Sequence, residues 1–163
     1  MKEITVIGEV VHADKLKGVL YEKAGLLYTG ATRIGEIYMT DVKSMVTRVV
    51  AQADGDKITR LNILDHGNKD GGQFGKDRIT VDNFETFAPF LGKLFPVFEK
   101  SAVVHLQHCE MGQNTALMQM FAAVFGVAVY AGTGAHNAVY RFNWGDYVRC
   151  SPSGTIYNNV QRP

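Results

Sequence analysis

The chain has 163 residues, 46% apolar and 20% charged, which suits one folded domain with a single core and argues against disorder. Lys plus Arg number 17 against 16 Asp plus Glu, a net charge of +1, so neither a polybasic nucleic-acid binder nor a membrane-surface protein is indicated. Two cysteines, Cys109 and Cys150, are too few for a disulfide framework or a four-cysteine zinc site.

Residues 1–39 form a lead-in of short apolar runs (Ile4 to Ile7, Gly25 to Tyr28, Ile34 to Met39) separated by glycines, read as short strands and turns. The first run ends at Gly8 and Glu9, too short for a secretory signal, and the expected location is the cytoplasm. Thr40 and Asp41 are good helix starters, and Val42, Met45, Val46, Val49 and Val50 follow as one apolar stripe, closed by Asp54-Gly55-Asp56. Ile58 to Leu64 is a β-rich run ending in Asp65-His66-Gly67. The polar, glycine-rich stretch from Asn68 to Asp77 predicts a loop or short hairpin.

Phe84, Phe87, Ala88, Leu91, Leu94 and Phe95 again have helical spacing, with Pro89 predicting a late start or a kink and Pro96 an end. Ser101 to Leu106 is a buried strand that enters Gln107-His108-Cys109-Glu110-Met111-Gly112. Leu117, Met118, Phe121, Val124 and Phe125 mark a third helix, with Gly126 as its C-cap, before a strand from Val127 to Ala131. The apolar stretch from Ala116 to Gly132 is shorter than the roughly 20 residues of a membrane-spanning helix, and Gln119 and Gly126 interrupt it. In the tail, Val139 to Phe142 and Tyr147 to Cys150 flank Asn143-Trp144-Gly145-Asp146 and read as a hairpin, with a second turn at Ser151 to Gly154. The expectation is one domain over 1–163: the lead-in, an α/β core over 40–131 with a mainly parallel sheet, and a β-hairpin tail over 132–163.

Sites in open α/β sheets form at the carboxyl ends of parallel strands. Two strands here end in reactive residues, one in His66-Gly67 and the next in Cys109, with a helix between. If the strands are neighbours, an imidazole sits beside a thiol and can take its proton. The helix that begins after Cys109 would turn its positive end toward the sulfur. Gly67 would let its N–H approach a substrate oxyanion beside the N–H of Cys109.

These residues resemble a family. A strand ending in Leu64-Asp65-His66-Gly67, a glycine-bearing loop, a helix, and a strand ending in Gln107-His108-Cys109-Glu110-Met111-Gly112 look like the histidine and cysteine motifs of the caspase-like cysteine peptidases. The Cys-x-x-Gly spacing is closer to the bacterial and separase-like branch than to caspases. The match covers about Ile58 to Ala131. The resemblance implies a three-layer α/β/α fold with a mainly parallel sheet. It implies Cys109 as nucleophile, His66 as general base, and the N–H groups of Gly67 and Cys109 as oxyanion hole. Gln107 matches a position that lines the pocket for the residue before the scissile bond; Asp65 and His108 are further pocket candidates. Arg33, Arg60, Arg141 or Arg149 could serve an acidic substrate residue, and Asp65, Asp146 or Glu110 a basic one, with nothing selecting among them.

The function expected is peptide-bond hydrolysis by a His-Cys dyad, with no cofactor and no metal. The substrate would be a protein or peptide, with no nucleic acid or membrane partner; a homodimer or partner protein is left open. Alternatives are a catalytically dead scaffold of the same fold, an effector delivered by a specialised secretion route, and a Cys-His amidase or acyltransferase. His105, His108 and Cys109 lie close in sequence, but strand geometry sends His105 and His108 to opposite faces, against a zinc site. Trp144 reads as a packing anchor and Cys150 as structural. The loop from Gly132 to Asn137 follows a strand and so is placed to rim the crevice.

Overall fold

The computed structural model describes residues 2–8, 36–137 and 142–163. In chain order these form β1 (Lys2–Gly8), β2 (Glu36–Met39), α1 (Val42–Ala53), β3 (Ile58–Leu64), three short strands β4 (Gly67–Asn68), β5 (Gly71–Phe74) and β6 (Asp77–Thr80), and α2 (Phe84–Leu91) with a 3-10 segment over Gly92–Val97. They continue with β7 (Phe98–Gln107), a 3-10 turn over Met111–Gln113, α3 (Thr115–Phe125), β8 (Ala128–Gly132), β9 (His136–Asn137), β10 (Phe142–Asn143), β11 (Tyr147–Cys150) and β12 (Ile156–Val160). The expected run at Gly25 to Tyr28 and the candidates Arg33 and Arg141 lie outside the described residues.

The main sheet has seven strands in the order β2-β1-β3-β7-β8-β11-β12. The five from β2 to β8 are parallel to one another, and β11 runs antiparallel to both β8 and β12. The chain is therefore a mixed α/β protein with a mostly parallel central sheet. Each parallel connection must cross back over the sheet, and α1, α2 and α3 supply described crossovers. All three pack on one face: α1 lies against β1 and β2, α3 against β8, and α2 between the two helices. Alternation then sorts the strands. Ile4, Val6, Leu61, Ile63, Val104, Leu106, Val129 and Ala131 point into the helix-side core. Thr5, Asn62, Leu64, His105, Gln107 and Tyr130 fall on the opposite face.

Local chemistry explains the element ends. Asp41 caps α1 by accepting from the Ser44 N–H at 2.7 Å, while the Ser44 hydroxyl accepts from the Asp41 N–H at 3.0 Å, a reciprocal capping box. Val42, Met45, Val46, Val49 and Ala53 of α1 are buried, whereas Val50 lies off that face and is 41% exposed. Burying each of Val42, Met45, Val46 and Val49 contributes about 1.5–3 kcal/mol. Pro89 sits inside α2 without delaying its start at Phe84; the α-helix gives way to the 3-10 segment just beyond it, and Pro96 lies within that segment. Gly126 closes α3 in the left-handed conformation with φ 66°. No helix among the described residues is long and apolar enough to cross a membrane.

The tail pairs differently from the sequence reading. Phe142 and Asn143 pair with Asn137 and His136, not with Tyr147 to Cys150. The expected strand residues 139–141 lie outside the described residues. Strand β11 instead continues the main sheet against β8, and the hairpin formed is β11 with β12 around the Ser151 to Gly154 turn. A strand beside an open, apolar sheet edge buries Val148 and Cys150 into the core, which a free-standing hairpin could not do.

Candidate active site

The two motif strands are neighbours. In the β3–β7 ladder Leu64 lies opposite Gln107, so His66 and Cys109 each follow a paired residue by two positions. Both leave the sheet at its carboxyl edge, beyond the last rung. The turns behind them touch: a Cβ placed on Gly67 would lie 2.8 Å from the His108 Cβ and 3.2 Å from the Cys109 carbonyl oxygen. Only a residue without a side chain lets these two segments approach so closely. The His66 side chain is exposed and Cys109 is partly exposed.

The backbone around His66 is pinned on both sides. Its N–H donates to Asp65 Oδ1 at 2.7 Å, and its carbonyl accepts from the Gln73 N–H at 2.8 Å. The second Asp65 oxygen accepts from the Gly75 N–H at 2.8 Å. Asp65 is thus a buried brace across the turn, with both oxygens engaged by backbone, rather than a group facing solvent. Space for that carboxylate comes from Gly8 at the end of β1, where a Cβ would lie 1.9 Å from Asp65 Oδ2. Gly75, at φ 63°, brings the β5–β6 turn against Thr40, and the Lys76 N–H donates to the Thr40 carbonyl at 2.8 Å. The Val42 N–H at the start of α1 donates to Asp77 Oδ2 at 3.0 Å. The small sheet behind His66 is therefore anchored to the helix layer.

Cys109 is held equally closely. His108 before it is buried, and its Nε2–H donates to the Gln73 carbonyl at 2.8 Å, with its ring 5.1 Å from that of Phe74. Burial pushes the His108 pKa down to about 4, so the ring is neutral and serves as a strut between β7 and the His66 turn. Glu110 after it adopts the left-handed conformation at φ 58°, and its N–H donates to the Gly134 carbonyl at 2.8 Å. A non-glycine residue held in that conformation marks a constrained turn directly after Cys109. Asn114 caps α3 by accepting from the Leu117 N–H at 3.0 Å and also donates to the Lys69 carbonyl at 3.0 Å, tying the Cys109 turn to the His66 loop.

The Cys109 Sγ accepts a hydrogen bond from the His136 N–H at 3.3 Å. This fixes the side chain and aims an N–H dipole at the sulfur. The 132–137 loop thus meets Cys109 at its His136 end, and His136 itself carried no local signal in the sequence. Asn143 holds that loop: its Oδ1 accepts from the Gly134 and Gly145 N–H groups, and its Nδ2 donates to the Gly134 carbonyl at 2.7 Å. Trp144 at the tip of this region is 71% exposed and packs edge-on to Phe142, not into a core.

Gln107 is buried on the sheet face opposite the helices, at the last β3–β7 rung. Arg60 and Arg149 lie in the body of the sheet, away from the strand ends, and Arg149 stacks over the Tyr157 ring at 4.8 Å. Cys150 is fully buried in the core, where burial pushes its thiol pKa up and its S–H donates to the Ser151 carbonyl at 3.4 Å. The two cysteines are thus unequal in access and environment. No family model matches the chain, and no curated protein is significantly similar to it.

Proposed function

We propose that the chain is a cysteine-dependent peptide-bond hydrolase of the caspase-like type, with Cys109 as nucleophile and His66 as general base. The observation that carries this reading is the Leu64–Gln107 pairing, from which His66 and Cys109 emerge in step on adjacent strands. An exposed imidazole and a partly exposed thiol on two braced turns at the ends of neighbouring strands support the pairing of a nucleophile with its base.

In the reaction, His66 takes the thiol proton as the sulfur attacks the substrate carbonyl carbon. A C–S bond forms and the carbonyl electron pair moves to oxygen. The N–H groups of Gly67 and Cys109 receive that oxyanion. Collapse breaks the C–N bond, and protonated His66 gives its proton to the leaving amine. Water, deprotonated by His66, then attacks the thioester; the C–S bond breaks and the thiol is restored. Neither metal nor cofactor enters these steps.

Iodoacetamide at mildly acidic pH tests the dyad. Cys109 should label well before Cys150, and His66→Ala should remove that preference. A peptide-library cleavage screen with Cys109→Ala as control tests the reaction. Slow labelling of both cysteines at one rate, with no cleavage that depends on Cys109, would leave a scaffold role instead.

A further inference from the structure

The turn that carries Cys109 is tied to a second turn further along the chain, and one side chain makes the tie. Gly134 in the 132–137 loop offers its carbonyl to two donors. One is the N–H of Glu110, the residue after Cys109, at 2.8 Å; the other is Asn143 Nδ2, at 2.7 Å. Asn143 Oδ1 in turn accepts from the N–H groups of Gly134 and Gly145, each at 2.8 Å. A backbone N–H can only donate and a carbonyl only accept, so these partners fix which end of the amide is oxygen. The Asn143 side chain is buried, and small neighbours make room for it: a Cβ on Gly132 would lie 2.1 Å from its Cγ and 2.4 Å from its Nδ2.

Two residues beyond Gly134, the His136 N–H donates to Cys109 Sγ at 3.3 Å. Asn143 sets the place of that N–H twice, through its side chain on Gly134 and through its backbone, which pairs with His136 between β10 and β9. The Trp144 N–H adds a bond to the Ala135 carbonyl at 2.9 Å, so the loop is held at every residue from Gly134 to His136. A thiol is a weak acceptor, whereas a thiolate carries a full charge that the N–H dipole meets. A hydrogen bond that is stronger to the ionised form favours that form, and the thiolate is the form that attacks.

Resting on the reading of Cys109 as nucleophile, we infer that Asn143 is its positioning residue: by clamping Gly134 it holds the His136 N–H on the sulfur and so favours the thiolate. A residue that only closed the tail would affect stability. This one also sets the pH at which Cys109 reacts. Other titratable side chains lie on the segments that meet the Cys109 turn: Asp65, His66 and Lys69 after β3, His136 in the loop, Asp146 in the turn behind it, and His108 and Glu110 beside the cysteine itself. All of them remain in the variants below, so their fields cancel in the comparison.

The test is the rate of iodoacetamide labelling at Cys109 between pH 5.5 and 9.5 in Asn143→Ala and Gly132→Ala, with Cys150 as internal reference. Asn143→Ala removes the amide. Gly132→Ala keeps the amide and displaces it, and serves where the first substitution loses the fold. Each should slow Cys109 by about tenfold at pH 6, the equivalent of about one pH unit of displaced ionisation, and leave the rate at pH 9.5 within about twofold, because the thiol is ionised there in any case. Val49→Ala, a core truncation on α1, should lower stability without displacing the profile. In the unsubstituted protein the His136 amide proton should move downfield in NMR spectra as Cys109 ionises, and stay in place in Cys109→Ser. A profile that keeps its shape in the variants, or falls equally at every pH, would overturn the role of Asn143 while Cys109 still labels before Cys150. So would a His136 amide that ignores the ionisation of Cys109. Slow labelling of both cysteines at one rate in the unsubstituted protein would instead remove the hydrolase reading and this role with it.

Discussion

Replacing Gly8 by alanine should disable the His66 turn from a distance, although Gly8 belongs to another strand. The added methyl would lie 1.9 Å from Asp65 Oδ2, 2.2 Å from its Cγ and 2.7 Å from Oδ1, and carbon cannot approach a carboxylate so closely. The carboxylate must move, and with it go the bonds from the His66 and Gly75 N–H groups at 2.7 and 2.8 Å. Hydrogen bonds to a charged group contribute about 1.5–3 kcal/mol each, so losing both costs about 3–6 kcal/mol before relaxation. Partial relaxation of the turn brings the expected loss to about 3 kcal/mol in urea unfolding, with loss of the Cys109 labelling preference. Asp65→Ala should cost a similar amount through the same two N–H groups. The decisive measurement is the double variant. With the carboxylate gone, the Gly8 methyl has nothing to displace, so Gly8→Ala with Asp65→Ala should be no less stable than Asp65→Ala alone. The coupling energy would then be about 3 kcal/mol, at the upper end for residues in contact. Simple additivity of the two losses would refute the brace.

Two further outcomes follow from the same turns. Gly67→Ala should lower Cys109-dependent turnover by about 10–100-fold, since a shift of about 1 Å in a reacting pair costs this much; a variant with unchanged turnover would show that the approach of Gly67 to His108 and Cys109 is not needed. Stability should fall as pH drops below about 6.5, because the unfolded chain protonates its histidines there while folded His108 resists protonation until about 4. That one residue contributes about 3 kcal/mol of loss across the window, at a slope of about 1.4 kcal/mol per pH unit, and buried His105 adds to it in the same direction. Urea unfolding at several pH values checks this, with His108→Phe expected to flatten the slope; a stability unchanged between pH 6.5 and 4.5 would refute it.

The parts of the fold legible in the sequence are those governed by local rules. The apolar stripe from Val42 to Val49 and its Asp41 start made α1, and Gly126 closed α3 where its backbone freedom was needed. The runs at Ile58 and Ser101 became β3 and β7, and their order of alternation with helices implied the adjacency that the ladder has. What was not legible depends on partners far along the chain. Residues Tyr147 to Cys150 alternate as well for a free hairpin as for a sheet strand, and only the open edge of β8 decides between them. The polar, glycine-rich stretch from Asn68 to Asp77 suggests a loop or short hairpin, and it goes further, forming a small three-stranded sheet in which β5 pairs on both sides.

The site shows the same division more sharply. The places of His66 and Cys109 at the ends of two neighbouring strands could be read from the sequence. What holds them could not. Asp65 invited reading as a charge for substrate, but its buried oxygens hold the His66 and Gly75 backbone. His108 was a candidate for the substrate pocket, but it packs on Phe74 as a neutral strut. Gly8 and His136 contribute through a missing side chain and a main-chain N–H, neither of which has a local sequence signature. A parallel sheet makes such support necessary. Its strands end at a common edge where the backbone leaves the ladder, so every group beyond Leu64 and Gln107 must find hydrogen bonds outside the sheet. Asp65, Gln73 and Gly134 supply those bonds, and supplying them leaves His66 and Cys109 on fixed backbones at that edge.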